Sequence, residues 1–211
     1  VPSCVVEPQP CVDGSIQNTT QLRGEDTIVP TPQTDPVMVR GINALKAWTG
    51  KGSAAIVYDS DVDAFTFEGL FERVRDTPNV AIVCTTTDGD IFGGFYSVAV
   101  TWMYKSFYDP NMFIFSFESH GRCVTPQRFS VKQQMSNLYV EFDPGDRHGY
   151  VRLWVNHLCF GRGGIWLGNG WKETMCDDVS LCFEGVEDTT LTGKGNRELF
   201  TCARLVAIHL E

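Results

Sequence analysis

The chain has 211 residues, of which 43% are hydrophobic and 20% are charged, and its formal net charge is −9. This balance is typical of a globular domain with one core, and it excludes a disordered or fibrous chain. Because so acidic a chain repels phosphate groups, we expect no nucleic acid as a partner. No run of residues is long and apolar enough to predict a membrane span.

Residues 1–35 differ in composition from the rest of the chain. They are rich in Pro, Thr, Gln and Asp and contain few large apolar residues. Such a segment has little to bury, so we expect a flexible tail or linker. The folded domain is expected over residues 36–211.

The positions of the eight cysteines indicate whether the chain works in reducing or oxidising surroundings. Most lie in strand-like apolar runs, as expected of buried free thiols. Cys4 and Cys11 lie in the tail, where a disulfide could form in oxidising surroundings, and their state stays open. The glycosylation motif at Asn18 would suit secretion, but a chain of this size builds a core without disulfides. We therefore expect a reducing, cytoplasmic setting.

The first predicted elements are two helices around a strand. Apolar residues recur at helical spacing over Met38–Trp48, and Gly50 follows where a left-handed residue would end the helix. Ala54–Tyr58 is typical of a buried strand. Phe67–Val74 predicts a second helix, with Thr66 as its N-cap.

The rest of the chain predicts strands joined by turns. A hairpin is indicated at Asp88-Gly89, between Val80–Thr85 and Ile91–Val100. Further strands are predicted at Met112–Phe117, Arg128–Val131, Asn137–Phe142, Tyr150–Val155, Ile165–Leu167, Ser180–Phe183 and Leu199–Leu210. Two helices followed by many antiparallel strands indicate an α+β fold, a two-sheet antiparallel β-sandwich flanked by a few short helices.

Glycines interrupt two of the apolar strands. Gly93 and Gly94 stand where glycine is tolerated only at a bulge or at a close approach of another backbone. Gly161, Gly163 and Gly164 precede another predicted strand. We interpret all five as structural residues.

Several blocks of the sequence, in this order, resemble the TLDc family. They are Leu45–Gly50, Val57–Ser60, Phe67–Val74, Val80–Val83, Asp88–Phe95, Asp109–Phe117, Phe160–Leu167 and Ala203–Glu211. The resemblance covers about residues 41–211 and is closest over residues 45–117. It departs at Gly168-Asn169-Gly170, where the family usually has an acidic pair.

The resemblance implies a two-sheet β-sandwich with flanking helices and no established cofactor. It also implies protection against oxidative stress and, as in several members of the family, binding to the vacuolar proton pump (V-ATPase). The leading hypothesis is therefore a non-catalytic, regulatory protein-interaction domain that needs no cofactor.

Three carboxylates alternate at Asp59, Asp61 and Asp63 ahead of a helix, as at the start of an EF-hand calcium loop. Ala64 stands where that loop needs glycine, and Leu70 where it needs a bidentate glutamate. The pattern is thus a weak calcium candidate. The alternative interpretation is solvated acids that the helix dipole favours. A calcium-tuned adaptor is kept as a further hypothesis.

Other metal and catalytic motifs are scarce. Cys176 and Cys182 have five residues between them, His157 and Cys159 have one, and there is no Cys-x-x-Cys pair, so no zinc site is predicted. The sequence also lacks His-Glu-x-x-His, Gly-x-Ser-x-Gly and a P-loop. The alternative is a hydrolase-like enzyme that uses surface carboxylates, since 26 acidic residues bring some of them close together.

The aromatic segment from Trp102 to Tyr108, just before Asp109-Pro110, lacks the alternation of apolar and polar residues that is typical of a strand. We expect part of it to form a loop with exposed rings, which is typical of an interface anchor. The interface candidates are Trp102, Tyr104, Phe107 and Tyr108. The alternative is that these rings belong to the core. The partner, the contact face and the oligomeric state stay open.

Overall fold

A computed structural model describes residues 35–103, 105–133, 137–143, 150–157, 161–168 and 174–211. The helices are α1 (Pro36–Thr49), α2 (Phe67–Val74) and α3 (Val179–Cys182). The strands are β1 (Ala54–Asp59), β2 (Val80–Thr86), β3 (Ile91–Tyr96), β4 (Lys105–Tyr108), β5 (Phe113–Glu118), β6 (Gln127–Ser130), β7 (Asn137–Asp143), β8 (Tyr150–His157), β9 (Gly161–Gly168), β10 (Thr174–Asp177), β11 (Leu199–Phe200) and β12 (Cys202–Leu210). The predicted tail lies outside the described residues, apart from Asp35, and so do Cys4, Cys11 and Asn18.

Helix α1 has caps that its sequence encodes locally. The Asp35 side chain accepts a hydrogen bond of 2.9 Å from the amide of Val37 at the N-terminus. Gly50 ends the helix in the left-handed conformation, with φ at 69°. Gly41 faces the first sheet so closely that a Cβ there would lie 2.3 Å from the ring of Phe117. The capped helix can therefore lie directly on the sheet.

The first sheet has six strands in the order β1-β12-β2-β3-β5-β6, and each pair of neighbouring strands is antiparallel. One face of this sheet packs against α1, where buried Met38 and Leu45 contact a cluster of apolar strand residues. Because the other face is also buried, strands β2 and β3 are apolar on both sides.

The second sheet has the order β11-β10-β9-β8-β7-β4 and is also antiparallel. Its inner face packs on the first sheet: the rings of Phe92 and Phe200 have centroids 5.4 Å apart, and those of Tyr96 and Phe142 lie 6.4 Å apart. These contacts form the main core and confirm the α+β sandwich expected from the sequence.

Helix α2 covers one end of this core. Its predicted cap is present, because the Thr66 hydroxyl accepts a hydrogen bond of 3.1 Å from the amide of Gly69. Phe71 on its buried face lies 5.5 Å from the ring of Phe142 in β7. No helix in the described ranges is long and apolar enough to cross a membrane.

The two central glycines lie where another group comes close. A Cβ on Gly93 would lie 1.9 Å from the carbonyl oxygen of Ile82, and one on Gly94 would lie 2.7 Å from a methyl carbon of Leu153. The close group is backbone at Gly93, as the sequence led us to expect, whereas at Gly94 it is a side chain. Gly161, Gly163 and Gly164 lie within β9 and pair with β8.

Two sequence-based assignments were wrong in detail. The predicted strand at Ser180–Phe183 is the short helix α3. The predicted strand at Leu199–Leu210 is divided at Thr201, because β11 belongs to the second sheet and β12 to the first. The aromatic segment expected to be partly a loop lies outside any strand at Trp102, and its later residues form strand β4, which pairs with β7. Strand β10 was not predicted.

Candidate functional site

A cleft of about 430 Å³ opens on the α1 side of the first sheet, and we call it the Arg128 cleft. Its wall is aromatic: Trp48 at the end of α1 meets the ring of Phe113 edge-on at 6.0 Å, and Phe95 stacks on Phe113 at 4.9 Å. The cleft therefore has a firm apolar wall formed by one helix and two strands.

Two cations line this cleft, Arg128 from β6 and Lys51 from the turn after α1. The guanidinium carbon of Arg128 lies 4.3 Å from the centre of the Phe113 ring, and Nη1 donates a hydrogen bond of 3.2 Å to the carbonyl oxygen of Trp48. Partial burial lowers the pKa of Arg128 from its ordinary value. An arginine keeps its charge under such conditions, so the cleft is positive.

The rim of the cleft is fixed by a buried carboxylate. Asp109, which is fully buried, accepts hydrogen bonds on Oδ1 from the Ser97 hydroxyl at 2.7 Å and from the Asn111 amide at 2.9 Å. Its Oδ2 accepts a short hydrogen bond from the backbone amide of Ser97. The Asp109-Pro110-Asn111 segment is therefore tied to the end of β3, beside the aromatic wall.

The four interface candidates have different surroundings. Trp102 is 70% exposed and lines a separate groove of about 660 Å³, which we call the Trp102 groove. Tyr108 is exposed on the edge strand β4. Phe107 is half-buried against the main core, so it fits the core interpretation better. Tyr104 lies outside the described residues.

The Trp102 groove lies against the end of α2. Phe71 and Met103 give it apolar walls, and Arg75 lines its edge. The segment before Trp102 is anchored, because the amide of Asp76 donates a hydrogen bond of 3.0 Å to the carbonyl of Val100. The large exposed ring of Trp102 thus belongs to a segment that is hydrogen-bonded to Asp76 at the end of α2.

The calcium candidates are engaged by arginines. Arg204 holds Asp59 at both oxygens, at 2.9 and 2.7 Å, and its Nε lies 3.0 Å from Asp61. Asp63 forms an ion pair with Arg73 at 2.8 Å. Among the described residues, no three metal-binding side chains converge. The three carboxylates are therefore members of an ion-pair network, and the calcium site stays a prediction.

A second ion-pair cluster was not anticipated from the sequence. The carboxylate of Asp90, which is 2% exposed, is contacted by the Arg122 guanidinium and by Nδ1 of His120, the latter at 2.9 Å. Arg122 also donates to the carbonyl of Thr190 at 3.1 Å. In the part of the chain that the structure describes, no serine or cysteine side chain hydrogen-bonds to His120. The cluster therefore ties the β2–β3 hairpin to a distant loop.

The described cysteines are buried free thiols, namely Cys84, Cys123, Cys176, Cys182 and Cys202. Burial raises the pKa of Cys182 to about 11 and raises those of Cys84 and Cys176 as well. Thiols held in the protonated form are poor nucleophiles. Cys159 and His148 lie outside the described residues.

Two stacked antiparallel sheets with α1 on one face define an α+β sandwich domain. A family model, the TLDc domain, matches residues 37–202, and the chain belongs to this family. The family suggested by the sequence blocks is thereby confirmed. A comparison with curated proteins finds no match.

Proposed function

We propose that this domain is a non-catalytic protein-interaction module that acts in the cytoplasm, protects against oxidative stress and binds subunits of the vacuolar proton pump. Membership of the TLDc family supports a role of this kind. The observation that carries the proposal is Trp102, whose side chain is 70% exposed beside a groove with apolar walls.

An exposed tryptophan beside a groove has the chemistry of an interface anchor. Aromatic side chains that become buried on binding contribute most of the affinity at many protein interfaces. The edge of the groove is polar, because Arg75 forms ion pairs with Glu72 at 3.4 Å and with Asp76 at 3.7 Å. An apolar centre with a charged rim is the usual layout of a protein-binding surface.

The engagement of the buried carboxylates supports a non-catalytic role. Asp59 and Asp90 are bound by arginines, and Asp109 accepts hydrogen bonds from Ser97 and Asn111. General acids and bases need a carboxylate that can reach a substrate. These three acids instead hold distant segments of the chain together.

The experiment is affinity capture from cell lysate with the full chain as bait, read by quantitative mass spectrometry of proton-pump subunits. Trp102→Ala should reduce their recovery at least about tenfold, as expected when an aromatic anchor is lost. The matched control is Leu199→Ala, which removes an apolar side chain 51% exposed on β11, at the other end of the second sheet from β4.

The unmodified chain and the Leu199→Ala variant should recover the same amounts of pump subunits. Recovery of no pump subunit by the unmodified chain would contradict the choice of partner. Equal recovery by Trp102→Ala would contradict the choice of surface.

A further inference from the structure

The Arg128 cleft has an excess of positive charge. Arg128 and Lys51 line it, although the chain as a whole carries a net charge of −9. Within the described ranges, neither cation forms an ion pair with a carboxylate. The volume of about 430 Å³ is that of a site for a small molecule.

Arg128 is held in place for binding. Its guanidinium is fixed by the Phe113 ring at 4.3 Å and by one hydrogen bond of 3.2 Å to the carbonyl of Trp48. A guanidinium has five N–H donors, so several remain for a ligand. Its planar fork matches a carboxylate, which can accept two parallel hydrogen bonds from it.

The neutral polar groups of the cleft fall into two sets. Three are committed: the hydroxyls of Thr49 and Ser97 donate to Leu45 and to Asp109, both at 2.7 Å, and Nδ2 of Asn111 donates to the Ser97 hydroxyl at 3.1 Å. The side chains of Asn79 and Ser130 also line the cleft and have no hydrogen-bond partner among the described residues. These two groups can therefore bind polar atoms of a ligand beside the aromatic wall.

We propose that the Arg128 cleft binds a small organic acid, whose carboxylate meets Arg128 and Lys51 while its apolar part lies against Trp48 and Phe113. The two cations supply the charge, the guanidinium supplies the geometry and the rings supply apolar contact. This binding is separate from the protein contact proposed at the Trp102 groove.

Benzoate is a suitable probe because it joins one carboxylate to one ring. It is titrated into the full chain and followed by the NMR signal of the Trp48 indole N–H, assigned with Trp48→Phe. We expect a saturable shift with a dissociation constant on the order of 1 mM, as is usual for so small a ligand. Benzamide, which has a similar shape but no charge, should bind at least about tenfold more weakly.

Substitutions locate the site. Arg128→Gln should weaken benzoate binding about tenfold, and Lys51→Gln should weaken it about threefold, because each removes one charged contact. Arg128→Lys keeps the positive charge but loses the planar guanidinium. Its dissociation constant for benzoate should therefore lie between those of the unmodified chain and of Arg128→Gln. The control is Arg40→Gln, which alters an exposed arginine on α1 and should leave the constant unchanged. Circular dichroism confirms that each variant is folded.

Four outcomes would overturn the proposal. The first two are that benzoate gives no saturable shift up to about 20 mM, or that benzamide binds as tightly as benzoate. The other two are that neither Arg128→Gln nor Lys51→Gln changes the affinity for benzoate, or that the chain binds phenyl phosphate but not benzoate. Trp102→Ala should leave benzoate binding intact. Failure of the protein-binding proposal therefore remains distinguishable from failure of this one.

Discussion

Arg204 and Asp59 join the last strand of the domain to the first: Nε lies 2.9 Å from Oδ1 and Nη2 lies 2.7 Å from Oδ2, across a separation of 145 residues. Burial raises the pKa of Asp59, but the hydrogen bonds from Arg204 and from the amide of Asp61 outweigh it, and the net pKa is lowered. The ion pair therefore stabilises the pairing of β1 with β12.

Asp59→Asn should lower the free energy of unfolding at pH 7 by about 1.5–3 kcal/mol, the usual worth of hydrogen bonds to a charged group. Because the pKa of Asp59 is lower in the folded than in the unfolded chain, its contribution is complete above the ordinary carboxyl pKa of about 3.9. It disappears as the pH falls through the folded pKa. The variant and the unmodified chain should therefore converge in stability in acid, as measured by urea unfolding.

The control for this prediction is Asp61→Asn. Asp61 also lies near Arg204, but its side chain is 45% exposed, so solvent screens the pair and the cost should stay under about 1 kcal/mol. Equal costs at the two positions would contradict the role given to Asp59.

Gly93→Ala should destabilise the domain more than Gly94→Ala. The new Cβ at Gly93 meets the backbone oxygen of Ile82 at 1.9 Å, which can move only if the β2–β3 pairing shifts, so we expect about 3 kcal/mol or more. At Gly94 the obstacle is the Leu153 side chain, which can change rotamer, and we expect about 1–2 kcal/mol. Urea unfolding measures both.

Gly52→Ala is the matched control. The nearest atom to its added Cβ is a backbone oxygen of Glu211 at 3.9 Å, so the stability should change by less than about 1 kcal/mol. A larger loss of stability in Gly94→Ala than in Gly93→Ala would contradict the prediction. It would show that the close approach of Gly93 to β2 does not determine which variant is less stable.

Asp109→Asn should loosen the rim of the Arg128 cleft. The Ser97 amide donates to a carboxylate oxygen of Asp109, and an asparagine NH₂ in that place would leave a buried donor unsatisfied, at a cost of about 1–3 kcal/mol. Thermal melting measures the loss of stability, and benzoate titration should show weaker binding. Asp88→Asn, at a side chain 58% exposed, should change neither quantity. An unaltered melting temperature in Asp109→Asn would contradict this role.

Calcium should leave the melting temperature unchanged. A ligand that binds the folded state raises this temperature, but Asp59 is held by Arg204 and Asp63 by Arg73. Differential scanning fluorimetry with added calcium, and with magnesium as a control, makes the comparison. A rise that is specific to calcium would restore the loop as a metal site.

Iodoacetamide should fail to label Cys84, Cys176 and Cys182 at pH 7.5 while the domain is folded. Burial raises the pKa of all three thiols, so little of the reactive thiolate exists at that pH. Mass spectrometry should find labelling at these positions only after unfolding in urea. Labelling of Cys84 in the folded chain would contradict the buried arrangement.

Elements with local signals were predicted well from the sequence. Thr66 and Gly50 mark helix ends through their own side chain or conformation, and both were found in the expected roles. Strands β4 and β10 have four residues each and depend on partners elsewhere in the chain. Their short patterns carry too little periodicity to identify them.

The candidate sites depended on distant pairs that a sequence pattern does not reveal. Asp59, Asp61 and Asp63 had metal-like spacing, but the deciding residue, Arg204, follows Asp59 by 145 positions. In the same way, Arg128 contacts the Trp48 carbonyl across 80 positions, so the cleft became visible only in the fold. The exposure of Trp102 could be expected from the sequence, because a loss of strand alternation is a local signal.

Strand β12 lies between β1 and β2 and pairs with both. Its residues leave the ribosome after every other described element. During synthesis, the edges of β1 and β2 that will pair with β12 therefore stay unpaired. Such exposed edges are prone to pair with the wrong strand. Closure of this sheet is a late, long-range event that slows folding.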